Sequence, residues 1–147
     1  MSGWDLADPF CLELEVRPED IDAYGHVNNA VYLTWLDRTA WAHSAALGMP
    51  LERCLQLRRG MAAHRIEIDY LTAAHVHQRV QAGTWIVASD GRLRVQRRFQ
   101  LRRGADTLVR AAVQYVCISL DSGRAVRMPE EFVRCYRVTA AATALSS

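Results

Sequence analysis

The side chains best suited to chemistry in this chain lie together at residues 20 to 29, which read DIDAYGHVNN and precede a strongly apolar segment. A carboxylate held near the free backbone N–H groups of a helix N-terminus can form a hydrolytic site. The N–H groups polarise a carbonyl, and the carboxylate either attacks it or activates water. Asp22 is the strongest candidate for that carboxylate, because it stands neither at the expected cap position nor on an obviously solvated helix face.

Local structure alone accounts for other residues of this stretch. Asn28 or Asn29 can cap the helix that follows, since a short polar side chain accepts hydrogen bonds from free N–H groups. Gly25 can supply a turn conformation that is closed to residues with a Cβ atom. Asp22 therefore carries most of the functional interpretation.

Other catalytic motifs are absent from the sequence. It contains no G-x-S-x-G elbow, and all 18 basic residues are arginine. The lack of lysine excludes Schiff-base chemistry, a lysine general base and the phosphate-binding loop that ends in Gly-Lys-Ser/Thr. His75 and His77 are two positions apart, but no third ligand is placed by spacing, so we predict no metal site and no cofactor.

Arginines cluster between residues 92 and 103. Strand alternation places three of them on the solvent-facing side, namely Arg94, Arg98 and Arg102. Arg97 falls on the apolar side, where a guanidinium needs a partner such as a carboxylate. Arg92 and Arg94 follow a turn at a sheet edge and can hold phosphates bidentately. Nucleic acid is not expected as a partner, because aromatic residues are not interleaved with these arginines and the net charge is only +2.

The elements that position these residues follow from hydrophobic periodicity. Residues 11–17 alternate between apolar and charged side chains, which is typical of a half-buried strand. Residues 31–47 are apolar nearly all round, and Gly48 and Pro50 stand where a helix would stop. This pattern predicts a long, largely buried helix of about 16 residues. Residues 51–59 can add a short second helix.

Four more strands are predicted after the helices. Runs rich in alternating or β-branched residues begin near 61, 80, 93 and 107, and glycine-containing turns separate the last of them. The order of strand, long helix and four strands predicts an α+β fold with one helix against a face of an antiparallel sheet. The edges of such a sheet favour pairing with a second copy.

Length and composition predict one domain over residues 1–147, with a frayed alanine- and serine-rich end at about 139–147. The start shows no basic-then-apolar signal, and no run approaches the roughly 20 apolar residues that span a bilayer. We therefore expect a cytoplasmic protein with no membrane partner. The four cysteines lack paired or zinc-site spacing, so we expect free, buried thiols.

The stretch DIDAYGHVNN followed by Tyr32 resembles the signature of the hotdog-fold thioesterases of the 4-hydroxybenzoyl-CoA thioesterase type, and HVNN also resembles acyl-ACP thioesterases. The predicted order of elements matches the hotdog fold, in which an antiparallel sheet wraps around one long central helix. Residues 121–124, leading to 128–131, resemble the end of the last strand and the short closing segment of this family.

The resemblance implies an acyl-CoA thioesterase, which hydrolyses a thioester to a free acid and CoA. It implies a homodimer with two sites at the subunit interface, often paired into a homotetramer. Asp22 would be the nucleophile or general base, and the helix-start N–H that holds the carbonyl would fall at about Asn29. Gly25, His26 and Asn28 would shape the site. His26 would have one of three roles: it would hydrogen-bond to the thioester carbonyl, order Asp22, or only pack the turn.

Two further roles follow from the resemblance. The family's acid within the helix falls on Asp37. A simpler explanation for an acidic residue at this position is an ion pair with Arg38 or Arg65. A basic residue that contacts CoA phosphate in some relatives falls near Arg92, with Arg94 beside it. A non-catalytic acyl-CoA-binding module and an acyl-ACP thioesterase stay open as alternatives, whereas the hydroxyacyl-ACP dehydratases fit the D-x-D-x-x-G frame poorly. The acyl group is not identified by the sequence.

Overall fold

The computed structural model describes residues 3–140. Its strands are β1 (Phe10–Glu15), β2 (Arg59–Tyr70), β3 (Arg79–Ser89), β4 (Arg94–Arg103) and β5 (Asp106–Ser119). Its α-helices are α1 (Asn29–Ala46), α2 (Leu51–Leu57) and α3 (Glu130–Cys135), and a 3-10 turn lies at Pro18–Asp20. The α+β class and the order of elements are therefore as predicted. No helix within residues 3–140 has the length and apolar character needed to cross a membrane.

The five strands form one antiparallel sheet in the order β1-β3-β4-β5-β2. Strands β3, β4 and β5 pair with their neighbours along the chain, while α1 carries the chain from one edge of the sheet to the other. β2 pairs only with β5, so its second side is an open edge. The register of this edge strand shifts between Ala63 and Arg65.

One face of α1 packs on the sheet and forms the main core. The buried helix residues in that core are Tyr32, Trp35, Leu36 and Ala40. The opposite face is open, with Leu33 39% and Trp41 44% exposed. The helix predicted to be largely buried is thus buried on one face only in a single chain, because one sheet covers one side of a helix.

The other face of the sheet is covered in part by residues 3–8. Trp4 lies edge-on to Trp85, with ring centroids 6.2 Å apart, and its ring also packs 5.0 Å from the Arg102 guanidinium. Arg102 is only 9% exposed, so the solvent-facing position predicted for it is wrong. The strand alternation is correct, but the N-terminal segment returns over this part of the face. Arg94 is exposed as predicted.

Turns occur where the glycines predicted them. Asp90 Oδ1 accepts hydrogen bonds from the N–H groups of Arg92, Leu93 and Arg94 at 2.8, 2.8 and 2.9 Å, which closes the β3–β4 connection. These bonds lower the pKa of the Asp90 carboxyl. Gly91 has a φ of +69°, in the left-handed region that favours glycine.

The end of the described chain is tied to β3. The N–H groups of Thr139 and Ala140 donate to the Ile86 carbonyl at 2.8 and 3.3 Å. The rest of the predicted frayed tail, residues 141–147, lies outside the described residues. All four cysteines are free, but only two are fully buried, because Cys11 is exposed on the edge strand β1 and Cys135 is half-buried.

Candidate active site

The loop at residues 20–29 is closed by its own backbone. Ile21 and Val27 pair as an isolated antiparallel bridge. The Asp22 N–H donates to the His26 carbonyl at 2.8 Å, and the Gly25 N–H donates to the Asp22 carbonyl at 3.1 Å. Gly25 has a φ of +80°, which is the turn conformation that its position predicts. The loop therefore holds Asp22 in a fixed place in front of α1.

The Asp22 carboxylate is oriented by backbone groups. Its Oδ1 accepts hydrogen bonds from the N–H groups of Tyr24 at 2.8 Å and His26 at 3.3 Å. No protein donor to Oδ2 is found among the described residues 3–140. The side chain is half-buried. Backbone hydrogen bonds thus anchor one oxygen of the carboxylate, whereas the other accepts none from residues 3–140.

Helix α1 begins at Asn29, and Asn28 rather than Asn29 is its cap. Asn28 Oδ1 accepts from the Ala30 N–H at 2.9 Å, and the Asn28 carbonyl accepts from the Val31 N–H at 2.9 Å. Within residues 3–140 the Asn29 N–H has no acceptor. Because the N-terminus of a helix carries partial positive charge, this N–H is well suited to polarise a carbonyl oxygen.

The loop, the start of α1 and the end of β2 enclose a cleft of about 330 Å³. Asp22, His26 and Asn29 all line it, together with Tyr32 and Tyr70. The Tyr70 hydroxyl donates to the Asn29 carbonyl at 3.2 Å. The fold therefore brings three of the predicted residues to one cleft and fixes the first turn of the helix against the edge strand.

His75, in the loop between β2 and β3, is a part of this region that sequence reasoning missed. Its ring lies 5.2 Å from that of His26 at an angle of 76°, and its Nδ1 is 3.4 Å from the Gly25 carbonyl oxygen. His75 is exposed in this loop. Only the fold brings that loop against the motif, so spacing carries no signal for this contact.

Asp37 does not line this cleft. It lies eight residues after Asn29 on α1, about 12 Å along the helix axis, and borders a separate cavity of about 100 Å³. Asp37 forms no ion pair with any residue from 3 to 140, and Arg65 instead binds Glu67 at 2.6 Å. The ion pair with Arg38 or Arg65 that offered a simpler explanation is thus not observed.

Arg97 lies at the bottom of the same cavity and is 2% exposed. Its Nη1 is 2.5 Å from His43 Nδ1, and its Nη2 donates to Ser44 Oγ at 2.9 Å. Its guanidinium carbon lies 5.9 Å from the ring centroids of both Tyr115 and Tyr136. Arg97 thus has the partners that its buried position predicts, but within residues 3–140 they are an imidazole and a hydroxyl, not the carboxylate given as the example. Burial, aided by the Arg97 charge, lowers the pKa of His43 to about 4, so a neutral imidazole faces the guanidinium.

Arg92 and Arg94 are exposed beside the β3–β4 turn, far from the cleft of the same chain. Arg94 pairs with Val116 of β5, whereas Tyr70, which lines the cleft, pairs with Val109. The seven residues between those β5 positions span about 23 Å. A single chain therefore does not bring the predicted phosphate-binding arginines to Asp22.

Comparisons with known proteins identify relatives of this chain. A family model described as the thioesterase-like superfamily matches residues 16–135. A search of curated proteins gives no significant match.

Solved structures share the fold at low sequence identity. A 1,4-dihydroxy-2-naphthoyl-CoA thioesterase from Synechocystis is 20% identical, with a TM-score of 0.76 over 87% of this chain and 96% of that one. A gentisyl-coenzyme A thioesterase is 14% identical, with a TM-score of 0.79 over 87% and 100% of the two chains. A hypothetical protein from Staphylococcus aureus, solved in complex with CoA, is 16% identical, with a TM-score of 0.80 over 95% and 93%.

Proposed function

The chain belongs to the thioesterase-like superfamily and adopts the hotdog fold, and on this premise we propose that it is an acyl-CoA thioesterase. It would hydrolyse a thioester to a free acid and CoA. The observation that carries this proposal is the cleft on which Asp22, His26 and the helix-start N–H of Asn29 converge.

The proposed mechanism assigns one task to each group. The Asn29 N–H donates to the thioester carbonyl oxygen and stabilises the negative charge that develops there, a contribution of about 3 kcal/mol for one good donor. Asp22 Oδ2 either attacks the carbonyl carbon or takes a proton from the attacking water. If Asp22 takes the proton of water, hydroxide adds to the carbonyl carbon, the C–S bond breaks, and the proton passes to the sulfur, so that CoA leaves as its thiol. If Asp22 attacks instead, the C–S bond breaks to give a mixed anhydride and the CoA thiolate; water then hydrolyses the anhydride to the free acid, restores the Asp22 carboxylate and supplies the proton of the thiol. Gly25 and Asn28 hold the loop and helix in place, and His26 orders Asp22 or bonds the carbonyl.

The names of three relatives support CoA as the carrier of the acyl group. Two are called thioesterases of aromatic acyl-CoA compounds, and the third was crystallised with CoA. Exposed Arg92 and Arg94 are suited to bind CoA phosphates, because the planar guanidinium matches phosphate oxygens.

The open edge of β2 supports a homodimer. Apolar side chains remain exposed beside that edge, with Leu33 39%, Trp41 44% and Ile66 46% exposed. A second copy that pairs antiparallel with β2 would satisfy the free edge and cover these side chains. The same contact also leaves other faces free for two dimers to join as a tetramer.

Dimer symmetry has a consequence for the active site. Tyr70 at one end of β2 lines the cleft, and Met61 near the other end lines the cavity that contains Asp37. When two β2 strands pair antiparallel about a two-fold axis, the Tyr70 end of one strand lies beside the Met61 end of the other. The proposed dimer therefore brings Asp37 of one subunit towards Asp22 of the other, where it can serve as a second acid, and brings Arg92 and Arg94 to the same side.

A hydrolysis screen tests the proposal. Short, medium, long and aromatic acyl-CoA substrates are offered to the purified protein, and free thiol is measured. Thiol release with at least one class is expected. Saturable binding of acyl-CoA in calorimetry, with no thiol release from any class, would instead support a non-catalytic binding module. Thiol release from acyl-ACP but from no acyl-CoA would identify the protein as an acyl-ACP thioesterase instead.

A further inference from the structure

The interior contains a positive charge with no negative partner. The Arg97 guanidinium is 2% exposed and hydrogen-bonds to the His43 imidazole and the Ser44 hydroxyl. Its other polar neighbours are the rings of Tyr115 and Tyr136, whose centroids lie 5.9 Å away. Burial raises the pKa of the neighbouring Tyr115 to about 12, so this phenol is also neutral at neutral pH. No carboxylate of residues 3–140 forms an ion pair with Arg97. An ion in such a place is costly unless an opposite charge reaches it.

The space beside Arg97 can receive that opposite charge. The cavity measures about 100 Å³, about three times the roughly 30 Å³ that one water takes in the liquid. Polar groups lie together where Arg97 meets Ser44, Tyr115 and Tyr136. The apolar side chains among the lining residues are Ala40, Trp41, Met61, Ala63 and Val95. An apolar wall that ends at a cation fits a methylene chain with an anionic end.

The cavity also lies where the acyl group of the proposed substrate would extend. Within one chain, Ala40 is about 17 Å along α1 from Asn29, which holds the thioester carbonyl. In the antiparallel dimer, the Met61 end of β2 instead adjoins the Tyr70 end of the other subunit. In that proposed dimer, the cavity of one subunit would continue from the cleft of its partner, within reach of a short acyl chain.

We propose that Arg97 selects acyl-CoA substrates whose acyl group ends in a carboxylate, with the terminal carboxylate bound by its guanidinium in this cavity. The inference rests on the proposed thioesterase function and adds the substrate class to it. Arg97 takes no part in the cleavage itself and acts as a specificity residue. His43 and Ser44 hold the guanidinium in position for the incoming carboxylate.

Asp37 also lines this cavity, but it does not take the place of Arg97. In the proposed dimer Asp37 lies towards the partner's Asp22, at the thioester end of the acyl group. Arg97 is 2% exposed and would meet the other end, where the terminal carboxylate lies.

Matched substrate pairs test the inference on the unmodified protein. Succinyl-, glutaryl-, adipoyl- and suberoyl-CoA are compared with the monocarboxylic acyl-CoA of the same chain length, and kcat/KM is measured for each. At the best length, the carboxylated substrate should be preferred by about 10- to 100-fold, the range expected for a hydrogen-bonded charge. A third series of acyl-CoA substrates ends in a hydroxyl group. It shows whether the preference requires a negative charge or only a hydrogen-bond acceptor at the end of the acyl chain.

The variant Arg97→Met identifies the residue responsible. It should remove the preference by lowering kcat/KM for the carboxylated substrates only, because only they lose a charged partner. The fold should persist, because replacing a buried ion by an apolar side chain of similar length often leaves a protein stable. Circular dichroism checks the fold. The control Arg79→Met removes an exposed arginine of β3 that lies in neither cavity, and it should keep the preference.

Each outcome has a distinct meaning. If acyl-CoA is cleaved but the monocarboxylic or hydroxyl series is preferred, or if Arg97→Met lowers both series equally, the inference is overturned and the proposed function stands. If no acyl-CoA of any series is cleaved, the proposed function fails and the inference fails with it. The comparison on the unmodified protein decides the inference even if Arg97→Met does not fold.

Discussion

His43 accepts a hydrogen bond through Nδ1 from the guanidinium of Arg97, with the two nitrogen atoms 2.5 Å apart in the protein interior. The imidazole is 5% exposed and stacks on Phe10, with ring centroids 4.9 Å apart. Only a neutral imidazole can accept this bond, because a protonated one would place two cations in contact. The fold therefore depends on the charge state of one buried side chain.

This pair predicts a loss of stability in mild acid. The folded pKa of His43 is about 4, below the usual value of about 6.5 in an unfolded chain. The unfolded chain therefore binds more protons, and stability falls as the pH drops from about 6.5 towards 4, by up to about 3 kcal/mol in total. Below the folded pKa this contribution changes no further. Urea denaturation at several pH values measures it.

The variant His43→Gln is the control for that experiment, because glutamine keeps an acceptor but does not titrate. Its free energy of unfolding should vary less than that of the original chain between about pH 6.5 and pH 4. The carboxyls with lowered pKa, among them Asp90 and Asp121, lose their contributions at lower pH and do so in both proteins. Parallel pH curves for the two proteins would contradict the assignment.

Replacing Asp22 by asparagine should reduce kcat at least about 100-fold while the fold and the dimer persist, since the amide can neither attack nor take a proton. Thiol release measures the rate, and gel filtration with circular dichroism measures assembly and fold. The control Asp20→Asn removes a nearby carboxylate whose Oδ2 accepts from the Arg17 N–H at 2.9 Å, outside the cleft. An Asp22→Asn protein with the original rate would exclude Asp22 from the chemistry.

Removing the cap of α1 should lower stability by about 1 kcal/mol. Asn28→Ala leaves the Ala30 N–H without its side-chain acceptor, whereas Asn28→Asp keeps one. Asn29→Ala changes the first helical residue without touching the cap and should shift stability by less than about 0.5 kcal/mol. Thermal or chemical unfolding distinguishes the three variants. Equal losses for Asn28→Ala and Asn29→Ala would show that the cap is not the cause.

A charge on the open edge should dissociate the proposed dimer. Ile66 lies in β2 and is 46% exposed, so Ile66→Glu would desolvate a carboxylate at the interface. Sedimentation should show monomers, and thioester hydrolysis should fall with them because each site needs both subunits. Val138→Glu changes a residue that is 49% exposed but lies after α3, and it should stay dimeric. An active, dimeric Ile66→Glu protein would place the interface elsewhere.

Phosphate binding by the turn arginines should appear in KM. Arg92→Gln and Arg94→Gln should each raise KM for acyl-CoA by up to about tenfold with little change in kcat, because a charge-assisted contact to phosphate is lost. An acyl-pantetheine thioester, which lacks the nucleotide, should react equally well with these variants and the original protein. Arg134→Gln, in α3, should change neither. A rise in KM for acyl-pantetheine would contradict phosphate binding.

Most of the fold could be predicted because it depends on local patterns. The alternation in β4 and the apolar run of α1 specify element types, and turn residues such as Gly91 mark their ends. The family was predictable since its motif lies in ten adjacent positions. Burial was harder to predict, because the segment that covers Arg102 lies far from it in the sequence.

The candidate site could be predicted only where its residues are contiguous in the sequence. Asp22, His26 and Asn29 share a cleft because a short loop joins them to one helix start. The contacts of His75 with that loop and of Arg97 with His43 join distant parts of the chain, and no spacing rule reports them. Asp37 illustrates a further limit, since its proposed role needs a second copy of the chain.

The two edges of the sheet differ in a way that limits polymerisation. β2 offers twelve residues, whereas β1 has six, lies between Pro9 and Pro18, and exposes Glu13 and Glu15. In the proposed dimer, each end of the joined sheet would be a β1 strand, which is poorly suited to accept another strand. Strand addition would then stop at two chains, and the long open edge would not lead to fibres.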